Sequence, residues 1–189
     1  MTHSGPFLLA ALMLAGATPP SLCAQASTVV LVRHAEKAAE SGDPDLSTVG
    51  QARAKDLKVA LVAFPVQAIF VSEYRRTLQT ADPTAAFLHL TPVAIAVRGD
   101  AESQASATAA AIRQLPPGAA ALVVGHSNTI GPIIAALGGP HIGDLCDAEY
   151  ATILVLELTP AAPARLLRAS YGAPDPPSAI ACQRTMRVP

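Results

Sequence analysis

The chain has 189 residues, 51% of them hydrophobic and 14% charged, with a formal net charge of -1 and a pI near 6.5. That composition describes one folded domain with a core of its own and excludes a disordered chain. A nearly balanced charge supplies no general field for nucleic acid or an anionic membrane, so any anion site must be local.

Residues 1–26 contain no Lys, Arg, Asp or Glu, and the apolar run 7–17 is too short to span a bilayer. Ala24-Gln25-Ala26 fits the small-x-small pattern that signal peptidase reads. The expectation is a signal peptide over 1–26, a mature start near Ser27, a periplasmic or secreted protein, and no stable membrane insertion once the leader is gone. Removal of Cys23 leaves Cys146 and Cys182, an even pair in a compartment that permits disulfides. A bond between them would pin the C-terminal segment; two unpaired thiols are the alternative.

From Ser27 on, short apolar runs alternate with longer Ala-rich stretches, the pattern of strands buried on both faces and separated by covering helices. Strands are predicted over 28–32, 68–71, 93–97, 121–124 and 152–158, with a last one over 166–171 folding back on 152–158. Helices are predicted over 48–63, 75–88, 103–115 and 129–137. Ser47 can cap the first helix, Pro65 stops it, and Pro116-Pro117-Gly118 makes a turn. The expected fold is an α/β three-layer sandwich, helices on both sides of a mostly parallel sheet, over residues 27–172. Pro174, Asp175, Pro176 and Pro177 mark 173–189 as an extended tail without its own core.

The polar residues cluster where predicted strands end. Arg33-His34 follows the first, Ser72 with Arg75-Arg76 the second, Asp100 and Glu102 the third, and Gly125-His126-Ser127-Asn128 the fourth. Ligands of open parallel sheets bind outside the carboxyl ends of the strands, so these segments converge on one edge. The set suits phosphoryl transfer, which asks for position and positive charge around the moving oxygens. Arginine donates paired hydrogen bonds to phosphate, and a neutral imidazole is nucleophilic near neutral pH provided an acceptor holds its other nitrogen.

Leu31-Val32-Arg33-His34-Ala35-Glu36 resembles the opening Arg-His motif of the histidine phosphatase superfamily, the phosphoglycerate mutase-like group. Leu46-Ser47 with Gly50-Gln51-Ala52, the segment from Ser72 to Ala81, and Gly125-His126-Ser127-Asn128 resemble its later motifs in order. The resemblance implies that His34 is the phosphorylated nucleophile and that Arg33, Arg76 and His126 form the phosphate pocket. The backbone N–H of Ser127, at a helix start, is a further anion contact. Arg75 precedes the position that aligns with the family arginine. An ester leaving group also needs a proton, for which Asp100 or Glu102 is the candidate donor and Glu36 a third, although Asp100 or Glu102 can equally cap the following helix. Neither a cofactor nor a metal is implied.

Short connections around the site suggest an open pocket, in which water rather than a second substrate accepts the phosphoryl group. The expected activity is that of an exported phosphomonoesterase acting on a phosphorylated small molecule or envelope component. The alternatives are a phosphohistidine phosphatase acting on proteins and a non-catalytic module that binds phospho-ligands.

Overall fold

The computed structural model describes residues 27–160, 162–179 and 182, together with Met1. Apart from Met1, the expected signal peptide lies outside the described residues. The elements run β1 (Ser27–Arg33), α1 (Thr48–Ala60), β2 (Val66–Ser72), α2 (Arg75–Leu88), β3 (Val93–Ile95), α3 (Ala101–Ile112), β4 (Ala120–Gly125), α4 (Ser127–Ala136), β5 (Thr152–Leu158) and β6 (Arg165–Ser170). They build a six-stranded sheet in the order β3-β2-β4-β1-β5-β6. The first four strands pair in parallel and β5 and β6 add on antiparallel.

β1 shows why the sheet is sandwiched. Val29 and Leu31 pack into one apolar cluster with Ala105, Ala109, Ile130 and Ile134 of α3 and α4. Val30 and Val32 face the other way, against Leu57 of α1 and Ala81 and Ala85 of α2. A strand covered on both faces has no use for polar alternation, and Val29 to Val32 are at most 1% exposed. The α/β/α architecture and the mostly parallel sheet are as the sequence predicts.

The differences are local. β3 stops at Ile95 instead of reaching 97, because the Val97 N–H is taken by the Glu73 carboxylate at 2.7 Å rather than by a strand partner. Ser47 caps α1 by accepting from the Gly50 N–H at 3.1 Å. Gly50 itself is required by close approach, since a Cβ there would lie 2.2 Å from the Glu36 carbonyl oxygen.

The segment after β6 lies on the domain and is not extended throughout as expected: it is irregular to residue 176 and helical over 177–179, where the Ala179 N–H donates to the Pro176 carbonyl. The Ala173 carbonyl accepts from Arg53, Asp175 accepts two backbone N–H groups, and Ala179 is 1% exposed. Cys146 and Cys182 form a disulfide across a sequence separation of 36 residues. Closing a loop of that size stabilises a fold by roughly 2–4 kcal/mol. A thiol titration of the denatured protein lacking residues 1–26 is therefore expected to find no free sulfhydryl until a reductant is added, after which two appear; two free thiols without reductant would contradict the bond.

Candidate active site

The register of the sheet assembles the site. β1 and β4 are neighbours with Arg33 opposite Gly125, so the residues that follow them, His34 and His126, leave the sheet side by side. The His34 N–H donates to the Gly125 carbonyl at 2.9 Å, and the two imidazole rings stand 5.4 Å apart, edge to face. β2 flanks β4 on its other side and ends at Ser72, whose Oγ lies 3.0 Å from His126 Nε2. The first turn of α2 then brings Arg76, with Nη2 3.5 Å from His126 Nδ1. Arg33, His34 and His126 are all buried.

Hydrogen bonding sets the tautomers. His34 Nδ1 lies 2.8 Å from the Ala35 carbonyl, which can only accept, so Nδ1 carries the proton and Nε2 keeps its lone pair. On His126, Nδ1 faces a guanidinium that can only donate, so Nε2 carries the proton and gives it to Ser72. The Ser72 hydroxyl passes its own proton on to Thr77 Oγ1 at 2.9 Å. Burial is the main cause that lowers both histidines, reinforced by the guanidinium charges: His34 falls from 6.5 to about 3 and His126 from 6.5 to about 4. Both imidazoles are neutral at physiological pH.

The arginines are held by their outer nitrogens. Arg33 Nη1 donates to the carbonyls of Cys146 and Asp147 at 2.7 and 2.6 Å, and the guanidinium lies 4.4 Å from the centre of the Tyr150 ring. Arg76 stacks on Tyr74 at 4.2 Å and meets Asp43 at 3.5 Å. The Nε of each arginine is buried without a partner. An unpartnered, desolvated guanidinium N–H is costly, and an anion at this strand edge would supply the missing acceptor. Ser127 opens α4 there, its positive helix end turned to the same edge.

α2 explains the spacing of the Ser72 to Ala81 motif. Thr80 Oγ1 accepts from the Ala35 N–H at 2.9 Å, fixing the residue whose carbonyl holds His34. Gln79 accepts from the Leu46 N–H at 2.8 Å and donates to Asp45 at 2.6 Å, which ties down the connection from β1 to α1. Arg75 turns outward to Asp45, its side chain 58% exposed.

The carboxyl groups fall out differently from the sequence expectation. Asp100 caps α3 by accepting from the Ser103 N–H at 2.8 Å; the bonds from Ser103 hold its fully exposed carboxyl below the usual range, ionised rather than poised as an acid. Glu102 is exposed and lines a groove between α3 and α4 with His141 and Asp144. Glu36 is locked onto the buried Arg53 at 2.7 Å. The carboxylates whose charge reaches His126 are Glu73 and Asp43. Sequence reasoning missed Asp43, whose signal was only the Gly42-Asp43-Pro44-Asp45 turn past the end of β1. Among the described residues no group of three or more His, Cys, Asp or Glu could hold a metal ion.

The neutral histidines have a consequence for stability. Each ionises near 6.5 when unfolded but only near 3 or 4 when folded, so between these values the unfolded state binds more protons. Stability is therefore expected to fall as pH drops from about 7 to about 5, with a slope approaching 1.4 kcal/mol per pH unit for each histidine. Urea midpoints across that range check it, with His126→Asn expected to lose one histidine's share of the slope; a flat profile in the wild type would contradict neutral burial.

A model of the histidine phosphatase superfamily (branch 1) matches residues 29–98, the stretch that carries Arg33, His34 and Arg76 and ends before His126. The fold is similar to that of a mycobacterial hydrolase, with TM-score 0.62 and 17% identity over 77% of this chain and 100% of that one. It is also similar to the protein histidine phosphatase SixA complexed with tungstate, with TM-score 0.56 and 19% identity over 76% of this chain and 96% of that one. A third likeness is to a mycobacterial glucosyl-3-phosphoglycerate phosphatase, with TM-score 0.59 and 15% identity over 79% of this chain and 100% of that one. No curated protein matches the sequence significantly. The opening motifs over residues 29–98 thus match the model of the histidine phosphatase superfamily, and the sheet and helices follow the fold of these solved structures.

Proposed function

We propose that the chain is an exported phosphomonoesterase that works through a phosphohistidine on His34. The observation that carries this reading is a buried, neutral imidazole whose Nδ1–H is committed to a carbonyl, beside two arginines with unpartnered Nε groups. A phosphate ester enters with its free oxygens toward Arg33, Arg76 and the start of α4. His126 Nδ1, whose lone pair faces Arg76, takes a proton from solvent as the anion arrives and donates to it. The lone pair of His34 Nε2 attacks phosphorus, the N–P bond forms and the bond to the leaving oxygen breaks. Water then attacks the phosphorus, the N–P bond breaks, inorganic phosphate leaves and Nε2 recovers its lone pair. Residual positive charge around the equatorial oxygens stabilises both transfers.

Export is supported by the uncharged apolar start of the chain and by the Cys146–Cys182 disulfide, which suits an oxidising compartment. The substrate is then a phosphorylated small molecule or envelope component. Asp100, ionised as the cap of α3, gives the leaving oxygen no protonated carboxyl, so leaving groups that need little protonation are favoured. That argument also supports a second reading, a protein phosphohistidine substrate, in keeping with the fold shared with SixA.

The test sets an aryl phosphate, an alkyl phosphate and a phosphohistidine peptide before the mature protein and a His34→Ala variant. The wild type is expected to hydrolyse the aryl ester at least about tenfold faster than the alkyl ester, the gap a missing general acid leaves. His34→Ala should lose about a thousandfold or more of kcat. Equal rates for wild type and variant would refute the mechanism, and phosphate binding without any turnover would leave only a phospho-ligand module.

A further inference from the structure

The proline-rich segment after β6 plays no part in the chemistry above, yet it is fastened to the wall of the site. The wall is the irregular stretch 146–151, between α4 and β5. It supplies everything that orients Arg33: the carbonyls of Cys146 and Asp147 on Nη1, and the Tyr150 ring against the guanidinium. Tyr150 also lies 6.4 Å from the His34 ring. A stretch with no strand or helix ladder must be held by other bonds, or Arg33 loses its aim.

Those bonds come from the C-terminal segment. Asp175 Oδ1 accepts from the N–H groups of both Tyr150 and Ala151 at 2.8 Å. The Tyr171 N–H donates to the Ala151 carbonyl at 2.9 Å, and the disulfide ties Cys146 itself to Cys182. From the other side, the Glu149 carboxylate turns inward to the Cys146 N–H at 3.1 Å and to Arg168 of β6. The segment is braced in turn: Arg53 donates to the carbonyls of Tyr171 and Ala173 while holding Glu36, two residues past His34. Pro174 and Pro176 flank Asp175 and restrict its backbone, so little entropy is lost in presenting the carboxylate.

We propose that Asp175 is a positioning residue of the phosphate site: by bonding the Tyr150 and Ala151 N–H groups it fixes the 146–151 wall and thereby the aim of Arg33. The inference rests on the pocket reading above, in which Arg33 binds phosphate. Asp175 touches no substrate and acts only through the wall. A carboxylate on two backbone N–H groups makes strong bonds, and their loss reaches the ligand through one rigid stretch.

Binding is reciprocal, so if the clamp supports phosphate, phosphate must support the clamp. Amide exchange of the full mature protein with inorganic phosphate as the probe measures this without mutation. Phosphate at about 100 times its Kd is expected to slow exchange at Tyr150 and Ala151 by up to about a hundredfold. Asp175→Ala is expected to weaken phosphate binding about tenfold, and Asp175→Asn, whose amide oxygen can still accept both bonds, to restore most of it. Exchange at these amides indifferent to phosphate, or an Asp175→Ala protein that unfolds at lower temperature but binds phosphate as the wild type does, would overturn the proposal. If Asp175→Ala fails to fold, the exchange measurement on the wild type decides. A wild type that binds phosphate but hydrolyses nothing refutes the phosphatase reading and leaves this one standing, whereas one that binds no phosphate refutes both.

Discussion

The parallel pairing of β1 with β4 is the constraint on which the site depends. Because Arg33 stands opposite Gly125, the two histidines emerge from neighbouring strand ends at the same height, already joined by the bond from the His34 N–H to the Gly125 carbonyl. Both strands are buried on either face, and a slip in their register would separate the rings and break the packing on both sides. The same burial desolvates the imidazoles and keeps them neutral beside two guanidinium groups. Packing and chemistry therefore share one cause, and the proposed nucleophile is prepared by the core it grows from.

Around that pair the protein spends its polar groups on orientation. The backbone of Ala35 is gripped on both sides, its N–H by Thr80 and its carbonyl by His34, so α2 and the His34 ring hold a common hinge. Ser72 and Thr77 do the corresponding service for His126. Among the described residues the buried polar atoms left without a partner include two at the site, the Nε groups of Arg33 and Arg76, beside three elsewhere on Thr84, Gln104 and Tyr171.

Much of this was legible before any coordinates. The continuous apolar runs could only be strands covered on both faces, and the placement of Arg33-His34, Arg76 and His126 at strand ends follows from the sheet rule alone. Asp100 was less readable, because a carboxylate just past a strand serves equally as helix cap and as acid, and only the bond from Ser103 decides between them. Glu149 and Asp175 lay in stretches without periodicity, where partners distant in sequence give no local signal. β3 fell short of its apolar pattern because a side chain, Glu73, competed for its last N–H.

The central claim is that His34 Nε2 carries the phosphoryl group between substrate and water. It is tested most directly by quenching the mature protein in base during turnover of an aryl phosphate and locating the phosphoryl group by mass spectrometry. The account predicts a phosphoryl adduct on His34 that survives base, is lost in acid and is absent from His34→Ala. Turnover with the adduct on any other residue, or undiminished in His34→Ala, would contradict it.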